Sequence, residues 1–160
     1  MINFLVAAFI TLLTFSSLVY AAVPSTTTSL SCSTQAGDTV INEIQTTDNF
    51  IEIYLINSTD ILNWALYVDT TKIVTLGTGS CEINGTTAKD NSGSGATNTA
   101  FPAGTFITCD YNVNPSNNEV LLVDTSSAIS DGDAIAIDYM GYGKLTPSAN
   151  WEVDSSCGNL

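Results

Sequence analysis

From residue 40 to about residue 140 the chain alternates apolar and polar positions in short runs, each closed by turn residues. Val40-Ile41-Asn42-Glu43-Ile44 is the first run. Residues 50–56 form a longer one, with Ile51, Ile53 and Leu55 on one face and Glu52 and Tyr54 on the other. Asn57-Ser58-Thr59-Asp60 carries turn chemistry. Residues 64–68 follow, with Trp64, Leu66 and Val68 sharing a face, and then residues 72–76. Residues 77–99 are rich in Gly, Ser, Thr and Asn and read as a long polar loop with a short strand at Glu82-Ile83. Further strands are expected at residues 105–109, at 119–124 with Val120 and Leu122 on one face, and at 134–139. No segment repeats apolar residues at helical spacing. The elements predict an all-β domain, an antiparallel immunoglobulin-like β-sandwich. About 130 residues suffice to bury such a core without metals.

The first 23 residues differ in kind. They hold no charged side chain, and an apolar run at 4–15 leads to Val19-Tyr20-Ala21, whose small and aliphatic positions suit cleavage after Ala21. The expected division is a signal peptide at 1–21, a polar linker at 22–31 and a β-sandwich domain at 32–160. The only positive charge ahead of the apolar run is the Met1 amine. Two alternatives use the same residues: an uncleaved membrane helix, or a retained hydrophobic helix packed inside a filament. The protein is therefore expected outside the cell, at its surface or in the periplasm, with membrane contact only if residues 1–23 are retained.

Composition narrows the chemistry. The 160 residues carry 16 acids against three basic side chains, all Lys, for a formal net charge of −13. A surface this acidic excludes nucleic acid as a partner, which demands a basic footprint. With no His there is no Ser-His-Asp triad or imidazole metal site, and with no Arg no bidentate phosphate clamp. Four cysteines, Cys32, Cys81, Cys109 and Cys157, make an even set in an exported chain and predict disulfides. Three pairings are possible. The favoured one joins Cys32 to Cys157, stapling the domain's ends, and Cys81 to Cys109, closing the polar loop.

A family resemblance emerges from the order of the runs. Val40-Ile41-Asn42-Glu43-Ile44, then Phe50-Ile51-Glu52-Ile53-Tyr54, then Ile61-Leu62-Asn63-Trp64-Ala65-Leu66 resemble the opening strands of a lamin-tail domain. Phe101-Pro102-Ala103-Gly104, the strand from Asn118 to Asp124 and Asp138-Tyr139-Met140-Gly141-Tyr142-Gly143 are similar to its later landmarks. Asn63 stands where the family usually has Gly, a mild departure because Asn tolerates the left-handed conformation. The resemblance implies an immunoglobulin-like fold with Trp64 plugging the core against Ile51 and Ile53, alongside Leu66. It also implies a non-enzymatic structural or interaction module of the bacterial exported type.

Candidate sites are few. Asp131 and Asp133, flanking Gly132 with Asp124 and Asp138 nearby in sequence, offer hard oxygen ligands for calcium, although no EF-hand pattern is present. The simpler reading is a polar turn, and no cofactor is required. Asp90-Asn91-Ser92 is a weaker calcium candidate. Glu43 and Glu52 could pair as catalytic carboxylates, but they fall within strand motifs of a non-catalytic family. Asn57 and Asn84 head glycosylation sequons. Tyr111, Tyr139, Tyr142 and Trp151 suggest either a sugar-stacking face or, preferably, sandwich packing. The expected function is an exported adhesion or assembly scaffold that is not an enzyme. It would bind a protein, a surface glycan or a second copy of itself. The alternatives are a filament or pilus subunit and a carboxylate-based or metal-assisted hydrolase.

Overall fold

The computed structural model describes residues 27–93, 99–114, 117–143, 151–153 and 157. The expected signal or anchor segment lies outside them. Among the described residues twelve strands follow in order: β1 (Thr28–Cys32), β2 (Thr39–Gln45), β3 (Phe50–Leu55), β4 (Thr59–Asp60), β5 (Ala65–Val68), β6 (Thr71–Thr75), β7 (Glu82–Ile83), β8 (Ala100–Phe101), β9 (Phe106–Asp110), β10 (Asn117–Val123), β11 (Ala134–Gly143) and β12 (Trp151–Val153). No helix occurs among the described residues. Six strands form one sheet, in the order β12-β1-β11-β10-β5-β6, and four form a second, β2-β3-β9-β7. The short β4 and β8 pair separately.

The fold is all-β and two-sheeted, as the alternation predicts, but it is not wholly antiparallel. β1 runs parallel to β11 at its end and parallel to β12 at its start, with an irregularity between Ser31 and Cys32. Thr28 to Ser31, read as linker, are therefore strand residues. The physical reason lies in Leu30, which is 3% exposed: a linker cannot bury a leucine, whereas a strand laid across an apolar face can.

The principal core lies between the sheets. Ile51, Ile53 and Leu55 of β3, Ile107 of β9, Leu66 of β5 and Leu122 of β10 are fully buried there, with Trp64 at 3%. Ile51, Ile53, Trp64 and Leu66 thus occupy the core positions assigned from the sequence. Asn63, just before Trp64, has φ +63°, the left-handed conformation for which Asn substitutes for Gly.

A second core lies on the other side of the six-stranded sheet. β5 and β10 are buried along both faces: Leu66 and Leu122 point to the first core, while Ala65, Tyr67, Leu121 and Val123 join Leu30 and Trp151 in the second. The Trp151 ring meets Tyr67 edge-on at 5.9 Å, and its Nε1 donates to the carbonyl of Asp69 at 2.7 Å. Cys32 is bonded to Cys157, so the two ends of the described chain cover this face together. Cys81 is bonded to Cys109, tying the polar loop to β9.

Candidate interaction surface

The outer face of the four-stranded sheet follows from the alternation of β3. With Ile51, Ile53 and Leu55 inward, Phe50, Glu52 and Tyr54 must point out. Residues directly opposite on neighbouring strands share a face. Register therefore places Val40, Tyr54 and Phe106 in one row across β2, β3 and β9. A second row holds Glu43, Glu52, Thr108 and Glu82. The Tyr54 and Phe106 rings tilt against each other at 4.8 Å, and Phe106 remains 37% exposed. The row of apolar groups thus stands beside a row of carboxylates on the open face.

A bulge sets this arrangement. Ile41 faces Ile53 and Glu43 faces Glu52, leaving Asn42 as the extra residue of β2. The Asn42 amide donates to Glu52 Oε1 at 2.7 Å, steadying that carboxylate. On the inner side the Ile41 N–H donates to Asp138 Oδ2 at 2.6 Å, joining the edge of β2 to β11 across the gap between the sheets. Asp138 is 6% exposed, and burial raises its carboxyl above the ordinary range, while the Ile41 and Tyr139 N–H groups pull it back down.

At the far end of the row, Asn84 (φ +52°) and Gly85 (φ +64°) make the tight turn after β7, closed by the Thr86 N–H to the Ile83 carbonyl. Asn84 Oδ1 accepts the Phe106 N–H at 2.8 Å. Glu52, Asn84, Gly85, Gly104 and Phe106 line an open concavity of about 570 Å³. A Cβ added to Gly85 or to Gly104 would meet nothing within 4 Å, so the backbone there is open to an approaching group.

The residues singled out from the sequence do not meet in one place. Asp131 Oδ1 accepts the Ser29 N–H and Asp133 Oδ2 accepts the Ser130 N–H, each at 2.7 Å. Asp131 ties the turn to β1 and Asp133 closes the turn on itself, rather than the two converging on a point. Asp124 accepts the Ser33 hydroxyl. Among the described residues no three acid or cysteine side chains gather as a metal-ligand set. Glu43 and Glu52 do sit opposite each other, on the open sheet face rather than in a cleft. Asn57, exposed, donates to Asp38 Oδ1 at 2.6 Å. The four aromatic candidates separate. Trp151 and Tyr139 belong to the second core, and Tyr111 and Tyr142 pack against the first.

Two buried acids carry structure the sequence did not advertise. Asp90 is fully buried and accepts the N–H groups of Gly77 and Gly79 at 2.7 Å and of Cys81 at 3.3 Å, gathering the polar loop around one carboxylate. Glu119, 1% exposed, accepts the Tyr139 hydroxyl at 2.7 Å. Burial, then the Glu119 hydrogen bond and charge, then the Asp69 charge hold the Tyr139 phenol protonated well above its usual range. Burial and the Asp69 charge act likewise on Tyr142.

Comparison of the chain with family models, curated proteins and solved structures found no match in any of the three.

Proposed function

We propose that the protein is an exported, non-enzymatic interaction module with an immunoglobulin-like, lamin-tail type of sandwich. One observation carries the reading: of the two outer sheet faces, one is covered by β1, β12 and Cys157 and the other displays an ordered apolar row beside an acidic row. A rigid sandwich with one dressed face is the architecture of a presenter. The two disulfides support an oxidising destination, because cytosolic thiols are kept reduced. The uncharged stretch at 1–23 supports export by the same logic. The lamin-tail reading rests on the ordered landmarks. Asn42-Glu43 falls at the bulge of β2, Glu52 and Tyr54 lie on β3, Trp64 is in the core, and the closing Asp138–Gly143 segment is on β11.

The test is fractionation of the native host with mass analysis of the recovered protein. An N-terminus at Ala22 and no free thiol, in the extracellular or envelope fraction, is the expected result. A cytoplasmic protein with reduced cysteines overturns the reading.

A further inference from the structure

The open face has a specific chemical complement. We propose that it docks a lysine- or arginine-bearing polypeptide segment of a partner protein. The aliphatic stem of the basic side chain lies along Val40, Tyr54 and Phe106, and its cation is held between the Phe106 ring and Glu52. This deepens the interaction-module reading and rests on it.

Three observations converge. The first is the pairing of rows. Residues two apart on a strand share a face and stand roughly 7 Å from each other. Glu52 is therefore about one side-chain length from Tyr54 and, across the register, from the exposed ring of Phe106. Lys and Arg have this same division, an apolar stem with a charged head, and they bury the stem while the head finds a counter-charge. The face of an aromatic ring itself attracts such a cation.

The second observation is charge. Glu43, Glu52 and Glu82 lie in one row, and the lysine beside it, Lys89, is already committed to Glu82 at 3.0 Å. With 16 acids against three lysines over the whole chain, the complementary partner is cationic, and the long-range field steers it inward. The third observation is access. The concavity beside Phe106 is bounded by Gly85 and Gly104, both in left-handed conformations and both with open space where a side chain would stand. Backbone without side chains lets a second polypeptide approach closely.

The test uses the exported full-length protein with both disulfides closed and, as probe, a short synthetic peptide alternating arginine and alanine. Its binding is followed by fluorescence anisotropy at about 0.15 M ionic strength. Peptides alternating glutamate and alanine, or serine and alanine, serve as controls. The variants Phe106→Ala and Glu52→Gln are each expected to weaken binding by about tenfold. Asp131→Asn removes the same charge as Glu52→Gln, from a turn tied to the other sheet, and is expected to weaken it by less than about twofold. Phe106→Leu, which keeps an apolar contact but removes the ring, is expected to fall between Phe106→Ala and the native chain.

Equal losses from Asp131→Asn and Glu52→Gln would mean diffuse attraction and would overturn the site. So would unchanged affinity in Phe106→Ala, or binding of a neutral oligosaccharide at Phe106 with no binding of the arginine peptide. Any of these results from a protein still recovered outside the cell and fully oxidised would leave the interaction-module reading standing. Recovery of reduced protein from the cytoplasm is the separate result that removes that reading.

Discussion

The two sheets turn opposite fates on their outer faces. That of the six-stranded sheet is closed by β1 and β12, with Leu30, Trp151 and Cys157 laid over Tyr67, Leu121 and Val123. That of the four-stranded sheet stays open, with Phe106 in view and glutamates beside it. The cause can be read strand by strand. β10 contains Val120-Leu121-Leu122-Val123 and β5 is Ala65-Leu66-Tyr67-Val68, unbroken apolar runs that leave no side for water. β3 alternates strictly, and its even-numbered positions include Glu52 and Tyr54, which suit a half-wet surface. A sheet with two apolar faces demands a second cover, and here β1, β12 and Cys157 supply it. Among the described residues, the alternating sheet keeps an outer face with Phe106 exposed.

The largest expected effect comes from breaking the cover at its staple. Cys32–Cys157 encloses a span of 125 residues, and on the chain-entropy account its removal as Cys32→Ser with Cys157→Ser costs about 5 kcal/mol. Chemical denaturation of the double variant against the native protein measures it. If the cover is a distinct layer, the variant also exposes its second core first, with early hydrogen exchange in β1 and the start of β11 while β3 and β9 remain protected. Uniform loss of protection would erase the distinction between the two faces.

Trp151→Ala strikes the same cover without touching the staple. The residue is 8% exposed, packs on Tyr67 and donates to the Asp69 carbonyl. Truncating a buried tryptophan costs about 3–5 kcal/mol. The expected midpoint shift is therefore slightly smaller than for the disulfide. A shift below about 1 kcal/mol would mean that the second core is not a core in the energetic sense.

Much of this was legible in the sequence, and the exceptions share a cause. The alternating strand β3 and the core role of Ile51, Ile53, Trp64 and Leu66 followed from period-two patterning, and β9 from the turn ahead of it. Of the three cysteine pairings open in the sequence, the favoured one is the pairing formed. β1 and β12 did not follow. Each is short, Thr- and Ser-rich or isolated, and becomes a strand only because a neighbouring face needs covering, a long-range condition that no local window contains. The clue was present in the unbroken runs of β5 and β10, where reading only Leu66 and Val68, or Val120 and Leu122, as buried left half of each strand without an account. Asp90 was hidden differently. It was read as a calcium candidate in a polar loop, yet it is a fully buried acceptor for three N–H groups. Composition alone cannot separate a solvated acid from one that gathers backbone donors around itself. The open face was hidden because Val40, Tyr54 and Phe106 are far apart in sequence and meet only through register.

A smaller effect tests how the open sheet is held to the covered one. Asp138→Ala leaves the Ile41 N–H without its acceptor at a buried edge and is expected to cost about 2 kcal/mol. Asp138→Asn keeps an acceptor and removes the titration. Burial raises the folded carboxyl above its ordinary value of 3.8, so in the window between 3.8 and that raised value the folded state holds more protons than the unfolded chain. Stability contributed by Asp138 is therefore greatest below the window and falls as pH rises through it. Denaturation across this range should show the native protein losing ground to Asp138→Asn as pH rises. A constant or opposite difference would mean that burial does not raise the Asp138 carboxyl, while a negligible cost of Asp138→Ala would remove Asp138 from the linkage between the sheets.

The smallest effect is expected where the partner is proposed to bind. Phe106 is 37% exposed and touches Tyr54 on the outer face of the four-stranded sheet. Its truncation to Ala removes one cross-strand aromatic contact and the partial burial of the ring, so the loss should be about 1.5 kcal/mol, well below that of Trp151→Ala. Set beside Trp151→Ala, this contrasts two aromatic residues, one on each outer face, the first sealed under the chain and the second displayed. A thermal melt decides the matter. If Phe106→Ala destabilises as much as Trp151→Ala, Phe106 is part of the fold's support and the face is not free for a partner. A small shift with both disulfides intact keeps the face as surplus to folding. An exposed Phe106 ring that adds little to folding, set beside Glu52 and between Gly85 and Gly104, is then explained by what it contacts outside the chain.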